Sequence, residues 1–152
     1  MSIINKIGDI TTSDAKIICH QVNCQGKMNS GVAKVIRDKW PEVYNRYRAK
    51  CESEVDLLGQ IQPIYIAEGD KAVINMFAQY NYGYDGRRYT SYDAFWSCLG
   101  EIKKYLNPGI TIAFPARIGC VRGGANWTVI KTMIEEVLSE DFEIEFWDYD
   151  KG

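Results

Sequence analysis

The residues best suited to chemistry gather in two places. The first runs from His20 to Ala33, HQVNCQGKMNSGVA, between the apolar run Ile17-Ile18-Cys19 and the apolar-rich stretch Val32-Ala33-Lys34-Val35-Ile36. It holds Gly26, Gly31 and two asparagines, and no acidic residue. Strand, glycine-bearing loop and helix start, in that order, make an anion site. Glycine lets a ligand approach the backbone, and the unpaired amides of a helix start carry partial positive charge. The second place is Arg117-Ile118-Gly119-Cys120-Val121-Arg122-Gly123-Gly124, which also follows an apolar run and precedes a helical one. Two such loops suggest one diphosphate held between them.

Single side chains add further candidates. His20 is the only histidine; it is either a general acid–base or a strand-end residue that orients the loop by hydrogen bonding. Cys24 sits near a helix start, where a thiol can be activated, but no base partner is evident, so a small buried filler is the better reading. Asp9 and Asn23 suit turns as well as ligands. The stretch Gln79 to Tyr89 carries four tyrosines and two glycines with little aliphatic content, so it is a loop. Three readings stand for it: a lid with Arg87 or Arg88 reaching a terminal phosphate, a carrier of a catalytic carboxylate at Asp85 or the nearby Asp93, or a packed surface loop. Arg122 is either a phosphate clamp or a solvent-facing arginine.

Composition narrows the classes. A chain of 152 residues with 46% hydrophobic and 25% charged residues is expected to form one globular domain, 1-152, with a full core. A net charge of -2 gives no bulk attraction to nucleic acid or to an anionic membrane, so an anion must be held by local geometry. Five cysteines without a CxxC pair point away from a zinc site or disulfide framework and toward a reducing cytosol, hence a cytoplasmic protein. No apolar run reaches membrane-spanning length, and the N-terminus lacks the shape of a secretory signal. No His/Asp/Glu cluster has metal-ligand spacing, and neither metal nor cofactor is implied. The loops lack both the P-loop lysine and GxGxxG, which disfavours kinase-like and dehydrogenase readings.

The elements that must position these residues alternate along the chain. Strands are expected at Ile3 to Ile7, Lys16 to Val22, Leu58 to Ala67, Lys71 to Phe77, Ile110 to Phe114 and Glu143 to Trp147. The third and fourth form a hairpin or adjacent strands about the Gly69-Asp70 turn. Helices are expected at Ser30 to Lys39, from Pro41 through Ala49, Ser91 to Leu106 and Trp127 to Leu138, from apolar residues at three- and four-residue spacing. The result is an α/β chain, a three-layer α/β/α domain with a mixed central sheet, both glycine loops lying at the sheet's carboxyl edge.

Taken in order, Gly8-Asp9-Ile10-Thr11, the apolar strand, Asn23 and Gly31-Val32-Ala33 resemble the macrodomain, an ADP-ribose-binding module. Pro115-Ala116-Arg117-Ile118-Gly119-Cys120, with Gly123-Gly124 and Trp127, resembles the matching loop of one macrodomain branch. That branch includes ADP-ribose-1''-phosphate phosphatases and terminal ADP-ribose protein glycohydrolases. The resemblance covers almost the whole chain and implies a macrodomain-like fold. It implies that Asp9 accepts from the adenine amine, that the Ile10 backbone meets the ring, and that Asn23 binds the distal ribose. It also implies that amides of Ser30, Gly31 and Val32 and of Gly119, Cys120, Val121, Arg122 and Gly123 hold the diphosphate, and that Trp147 or Tyr149 stacks on adenine. The adenine role agrees with chemistry, since a carboxylate can only accept.

Two departures bear on the reaction. The glycohydrolases of the branch use a lysine nucleophile where this chain has Phe77-Ala78-Gln79-Tyr80, and an aspartate where it has Gly123. The expected function is therefore binding of ADP-ribose and hydrolysis of a substituent on the distal ribose, most simply the phosphate of ADP-ribose-1''-phosphate. His20, Asp85 or Asp93 would activate water. The alternatives are a non-catalytic reader of ADP-ribose or ADP-ribosylated macromolecules, and a hydrolase of ADP-ribosylated protein or nucleic acid without the lysine–aspartate pair. A monomer is the expected oligomeric state.

Overall fold

The computed structural model describes residues 2–67 and 70–149. Six strands form one sheet: β1 Ile3–Ile7, β2 Ile17–Val22, β3 Ile61–Ile66, β4 Lys71–Phe77, β5 Thr111–Pro115 and β6 Glu143–Asp148. Their order is β1-β6-β5-β2-β4-β3, all neighbours being parallel except the antiparallel β3/β4 pair. The helices are α1 Gly31–Lys39, α2 Pro41–Ser53, α3 Tyr92–Tyr105 and α4 Trp127–Leu138, with a short 3-10 turn at Ile10–Thr12.

Two cores explain the layers. On one face of the sheet Ile18, Val22, Val73 and Phe77 pack with Ile36 of α1 and Val43 and Tyr47 of α2. On the other, Cys19, Ile74, Met76, Ile112 and Phe114 pack with Phe95, Leu99 and Ile102 of α3 and Ile130 and Ile134 of α4. Alternate residues of β2 and β4 serve opposite cores, as the period of two requires, so these central strands are apolar on both sides. The mixed three-layer α/β/α architecture is as the sequence leads one to expect.

The third strand is shorter than its alternation suggests. Leu57 to Gln60 close a turn instead, with the Gln60 amide donating to Leu57 O at 2.9 Å and Gly59 at φ +92°. Ile64 and Ile66 are buried while Tyr65 is 61% exposed, so the alternation survives in the shortened strand. Gly69 of the expected turn lies outside the described residues. Among the described residues no helix is long and apolar enough to cross a membrane.

Candidate functional site

Neighbouring parallel strands decide where the two glycine loops go. β2 and β5 are paired, Ile17 opposite Ile112, so the segments leaving their carboxyl ends rise side by side. Between them lies a cleft of about 380 Å³, lined by Gly31 from one loop and Gly119 from the other. Asn23, Ser30, Val32, Cys120, Val121, Arg122, Gly123, Trp147 and Tyr149 also line it. Asp9 and Ile10 line a shallow annex that shares Val32, Pro115, Trp147 and Tyr149 with the cleft.

The first loop is built by side chains. Asn23 Oδ1 accepts from the Gln25 amide at 2.9 Å and from the Tyr47 hydroxyl at 2.8 Å, and its Nδ2 donates to Lys27 O at 3.0 Å. The Tyr47 hydroxyl also lies 2.7 Å from the Asn23 carbonyl oxygen. Asn23 is thus first a loop builder, and one amide hydrogen is left for a ligand. Gly31 has φ +62°, and a Cβ there would meet no atom within 4 Å. The N-terminus of α1 is also bare. Ser30 makes no side-chain cap bond, whereas Ser91 and Asn126 cap α3 and α4. Its first amides remain open to an anion.

The second loop is built by backbone. The Thr90 hydroxyl donates to Gly119 O at 2.7 Å, and the Tyr89 and Thr90 amides both donate to Gly123 O. Gln21 Nε2 ties Thr90 Oγ1 and Gln79 Oε1 together, each at 2.7 Å, so strand end, central loop and second glycine loop form one polar unit. The amides of Gly119, Val121, Arg122 and Gly123 donate to no protein group among the described residues. At Gly123 a Cβ would run into Thr90 Oγ1 and the Gly119 carbonyl oxygen. No aspartate can occupy that position with this backbone.

The lining is more basic than the chain. Lys27, Arg117 and Arg122 face it, with Asp148 as the one acidic residue among the described lining. Arg117 Nη2 lies 3.2 Å from Asp148 Oδ1, and Arg117 itself has φ +60°. The Arg122 guanidinium sits 4.4 Å from the centre of the Tyr84 ring, joining the second loop to the tyrosine-rich loop across the cleft mouth. Sequence reasoning missed Lys27 and Arg117 as site residues. The available signal was their position inside the two glycine loops.

The expected catalytic residues part company here. His20 lines the cleft and is 1% exposed, with Nε2 2.5 Å from Asn75 Oδ1 and Nδ1 without a partner among the described residues. Burial pushes its pKa down to about 4, so it is neutral at physiological pH. Asp85 does not line the cleft. It accepts from Tyr89 OH at 2.8 Å and from Arg87 Nε at 2.8 Å, and these bonds hold its carboxyl down at about 2. Asp93 sits in the first turn of α3, outside the lining. Arg87 is held by Asp85, and Arg88 stacks over Tyr92 at 4.6 Å, so neither expected phosphate arginine lines the cleft. Burial pushes Cys24 and Cys120 up to about 11 each, which suits filler rather than nucleophile. Asp9 Oδ1 caps the 3-10 turn through Thr11 N and Oγ1, leaving Oδ2 unbonded among the described residues. Trp147 is fixed by its indole N–H donating to Glu145 Oε1 at 2.7 Å, while Tyr149 is 59% exposed beside it. Among the described residues no group of His, Cys, Asp and Glu is placed to hold a metal ion.

No family model matches the chain. It is 33% identical over 57 residues to an ADP-ribose 1''-phosphate phosphatase of Aspergillus fumigatus, covering 38% of this chain and 26% of that protein. It is 25% identical over 135 residues to a DNA ADP-ribosyl glycohydrolase of Mycobacterium tuberculosis, covering 88% of this chain and 38% of that protein. The chain therefore spans well under half the length of either. Among solved structures, a protein of unknown function from Bacteroides thetaiotaomicron superposes with TM-score 0.83 at 27% identity, covering 97% of this chain and 98% of that one. The macrodomain of Mycobacterium tuberculosis DarG gives 0.81 at 21% identity, with 95% and 96% covered. Thermosipho africanus DarTG in complex with ADP-ribose gives 0.80 at 16% identity, covering 98% of this chain and 42% of that one.

Proposed function

The chain has the macrodomain fold, and from that premise we propose that its cleft binds ADP-ribose and hydrolyses a substituent on the distal ribose, as an ADP-ribose-1''-phosphate phosphatase does. One observation carries the reading. Two glycine loops, each with amides that no protein group among the described residues uses, flank one cleft at the carboxyl edge of the sheet. A diphosphate held by such amides needs no large basic cluster, and Lys27 and Arg122 supply what local charge is required.

In this pose the diphosphate lies between Ser30 to Val32 and Gly119 to Gly123. Adenine occupies the annex, with its amine on Asp9 Oδ2, its face near the Ile10 backbone and Trp147 or Tyr149 stacked on it. The distal ribose then reaches the His20 and Asn23 end. Water adds to phosphorus, the C1''–O–P bond breaks on the phosphorus side, and the departing sugar oxygen takes a proton, giving ADP-ribose and inorganic phosphate. The fixed diphosphate holds the ribose in place for the attack, and this proximity is the main rate advantage such a site offers. Asp85 and Asp93 do not enter, since neither lines the cleft, and His20, the third expected residue, lines it as a neutral imidazole.

A second reading has its own support. Asp148 is the only carboxylate among the described lining residues and is paired with Arg117, so the described lining holds no free carboxylate base. That favours a reader of ADP-ribose or of ADP-ribosylated macromolecules. The matched glycohydrolase keeps hydrolysis of an ADP-ribosyl bond as a third reading, without a lysine–aspartate pair.

Calorimetric titration with ADP-ribose tests the pose, and phosphate release from ADP-ribose-1''-phosphate tests the reaction. Asp9→Ala is expected to weaken ADP-ribose binding about tenfold, the value of one charge-assisted hydrogen bond. Tight ADP-ribose binding with no phosphate released selects the reader. Failure to bind ADP-ribose rejects the pose and all three readings.

A further inference from the structure

Resting on the ADP-ribose reading, we infer that Asn75 and Gln62 lock His20 in one tautomer, so that its buried, unpartnered Nδ1 accepts a hydrogen bond from a hydroxyl of the distal ribose when the ligand seats against it. The lock starts from a group with no freedom. The Arg46 carbonyl oxygen can only accept, so the Gln62 group 3.1 Å from it is the donating Nε2. Gln62 Oε1 then faces Asn75, whose Nδ2 donates to it at 3.0 Å. Asn75 therefore turns Oδ1 toward His20, 2.5 Å from Nε2. Nε2 must carry the hydrogen, and Nδ1 must be the lone pair.

The three side chains lie in register across neighbouring strands: His20 opposite Asn75 on the β2/β4 pair, and Asn75 opposite Gln62 on the β4/β3 pair. Asn75 is wholly buried and His20 nearly so. Burying His20 and Asn75 on a sheet face otherwise lined by Ile18, Val22, Ile64, Val73 and Phe77 is costly unless each is bonded. In this row only the buried Nδ1, on the residue that lines the cleft, has no partner among the described residues. A neutral lone pair takes a hydroxyl and rejects a phosphate oxygen, which has no hydrogen to give. It thereby distinguishes a sugar hydroxyl from a phosphate ester at the same spot. Asn75 and Gln62 act through His20 and are positioning residues.

Because the chain has a single histidine, imidazole nitrogen NMR on histidine-labelled protein reads this site alone. In the free protein Nδ1 is expected to resonate as the unprotonated nitrogen and Nε2 as the protonated one. Saturation with ADP-ribose should shift Nδ1 toward the hydrogen-bonded range, and saturation with ADP, which lacks the distal ribose, should leave it in place. Gln62→Met frees the Asn75 amide and is expected to mix the tautomers and weaken ADP-ribose binding about tenfold. Gln62→Glu, which still accepts from Asn75, is expected to restore both. A protonated Nδ1 in the free protein overturns the lock whether or not any ligand binds. ADP-ribose that binds by calorimetry but leaves Nδ1 unmoved overturns the contact while sparing the function proposed above. Absence of ADP-ribose binding overturns that function and the contact together.

Discussion

The two glycine loops flank one cleft but are held in opposite ways. In the first, the tying groups are side chains, Asn23 and Tyr47, and Gly31 opens onto empty space. In the second, the tying groups are backbone carbonyls at Gly119 and Gly123, and Gly123 has no space for a Cβ at all. The same residue type therefore answers two different demands. In the proposed pose Gly31 keeps the ligand's path clear, and Gly123 lets two segments of backbone meet. On that reading glycine at Gly31 is an access requirement, whereas at Gly123 it is a folding requirement, and substitutions should separate the two.

The largest effect is expected at Gly123. Gly123→Ala forces Thr90 or the Gly119 peptide to move, because one of the opposing atoms belongs to the backbone. Overpacking of this kind costs about 3 kcal/mol. Urea unfolding measures it, and ADP-ribose binding should fall in parallel because the loop amides are displaced. A variant within about 0.5 kcal/mol of the wild type, the range of an ordinary surface change, would erase the distinction drawn between the loops.

Acid should be nearly as damaging, and it should reach the first loop first. The His20 pKa is lowered to about 4 from an ordinary 6.5. Between these values the unfolded chain binds a proton that the folded chain refuses. Stability is therefore fully present above 6.5 and is lost as the pH falls toward 4, by up to about 3 kcal/mol at roughly 1.4 kcal/mol per unit. Since β2 carries His20 and runs directly into the first loop, amide exchange there should quicken in this window before exchange in the second loop does. A stability curve flat from 6.5 to 4, or one unchanged in His20→Gln, rules out this source of acid sensitivity.

Tyr47→Phe probes the side-chain scaffold of the first loop alone. The ring stays stacked on Phe77 at 5.9 Å, but both Asn23 oxygens lose the same donor. An unsatisfied buried acceptor costs about 2 kcal/mol. The heteronuclear NMR spectrum should change in residues 23 to 30 and stay fixed in residues 117 to 124. Equal perturbation of both loops would mean that they are one mechanical unit rather than two.

This contrast also separates what the sequence makes legible from what it does not. Strand and helix positions follow from apolar period, and α4 begins and ends where its spacing says, at Trp127 and Leu138. The loops are legible as well, because a glycine between an apolar strand and a helix has few other uses. The ties are not. Gln21 meets Gln79 and Thr90 across separations of 58 and 69 residues, and His20 meets Asn75 across 55. A polar residue inside a strand carries no period that names its partner; only the strand order β5-β2-β4 does. Asp85 stands apart from the cleft lining for a local reason. Its partners Arg87 and Tyr89 stand two and four residues on, so a short turn satisfies it before the cleft is reached. Lys27 escapes a reading built on neutral amides, although a lysine between two glycines of an anion loop is well placed for phosphate.

The smallest effect on stability, and the sharpest on function, is expected from Gly31→Ala. The residue sits at φ +62°, where a Cβ costs about 1 kcal/mol relative to glycine. No atom lies within 4 Å of the added methyl, so no steric clash adds to that cost. The methyl does project beside the bare start of α1, where the proposed diphosphate must come within hydrogen-bond distance of the backbone. ADP-ribose affinity should drop by at least about tenfold, the value of one lost amide contact, while stability falls by no more than the backbone cost of about 1 kcal/mol. At Gly123 the two losses come together, and at Gly31 they come apart. Affinity that survives Gly31→Ala would place the ligand on the second loop alone, leaving the open helix start of the first without a part in binding.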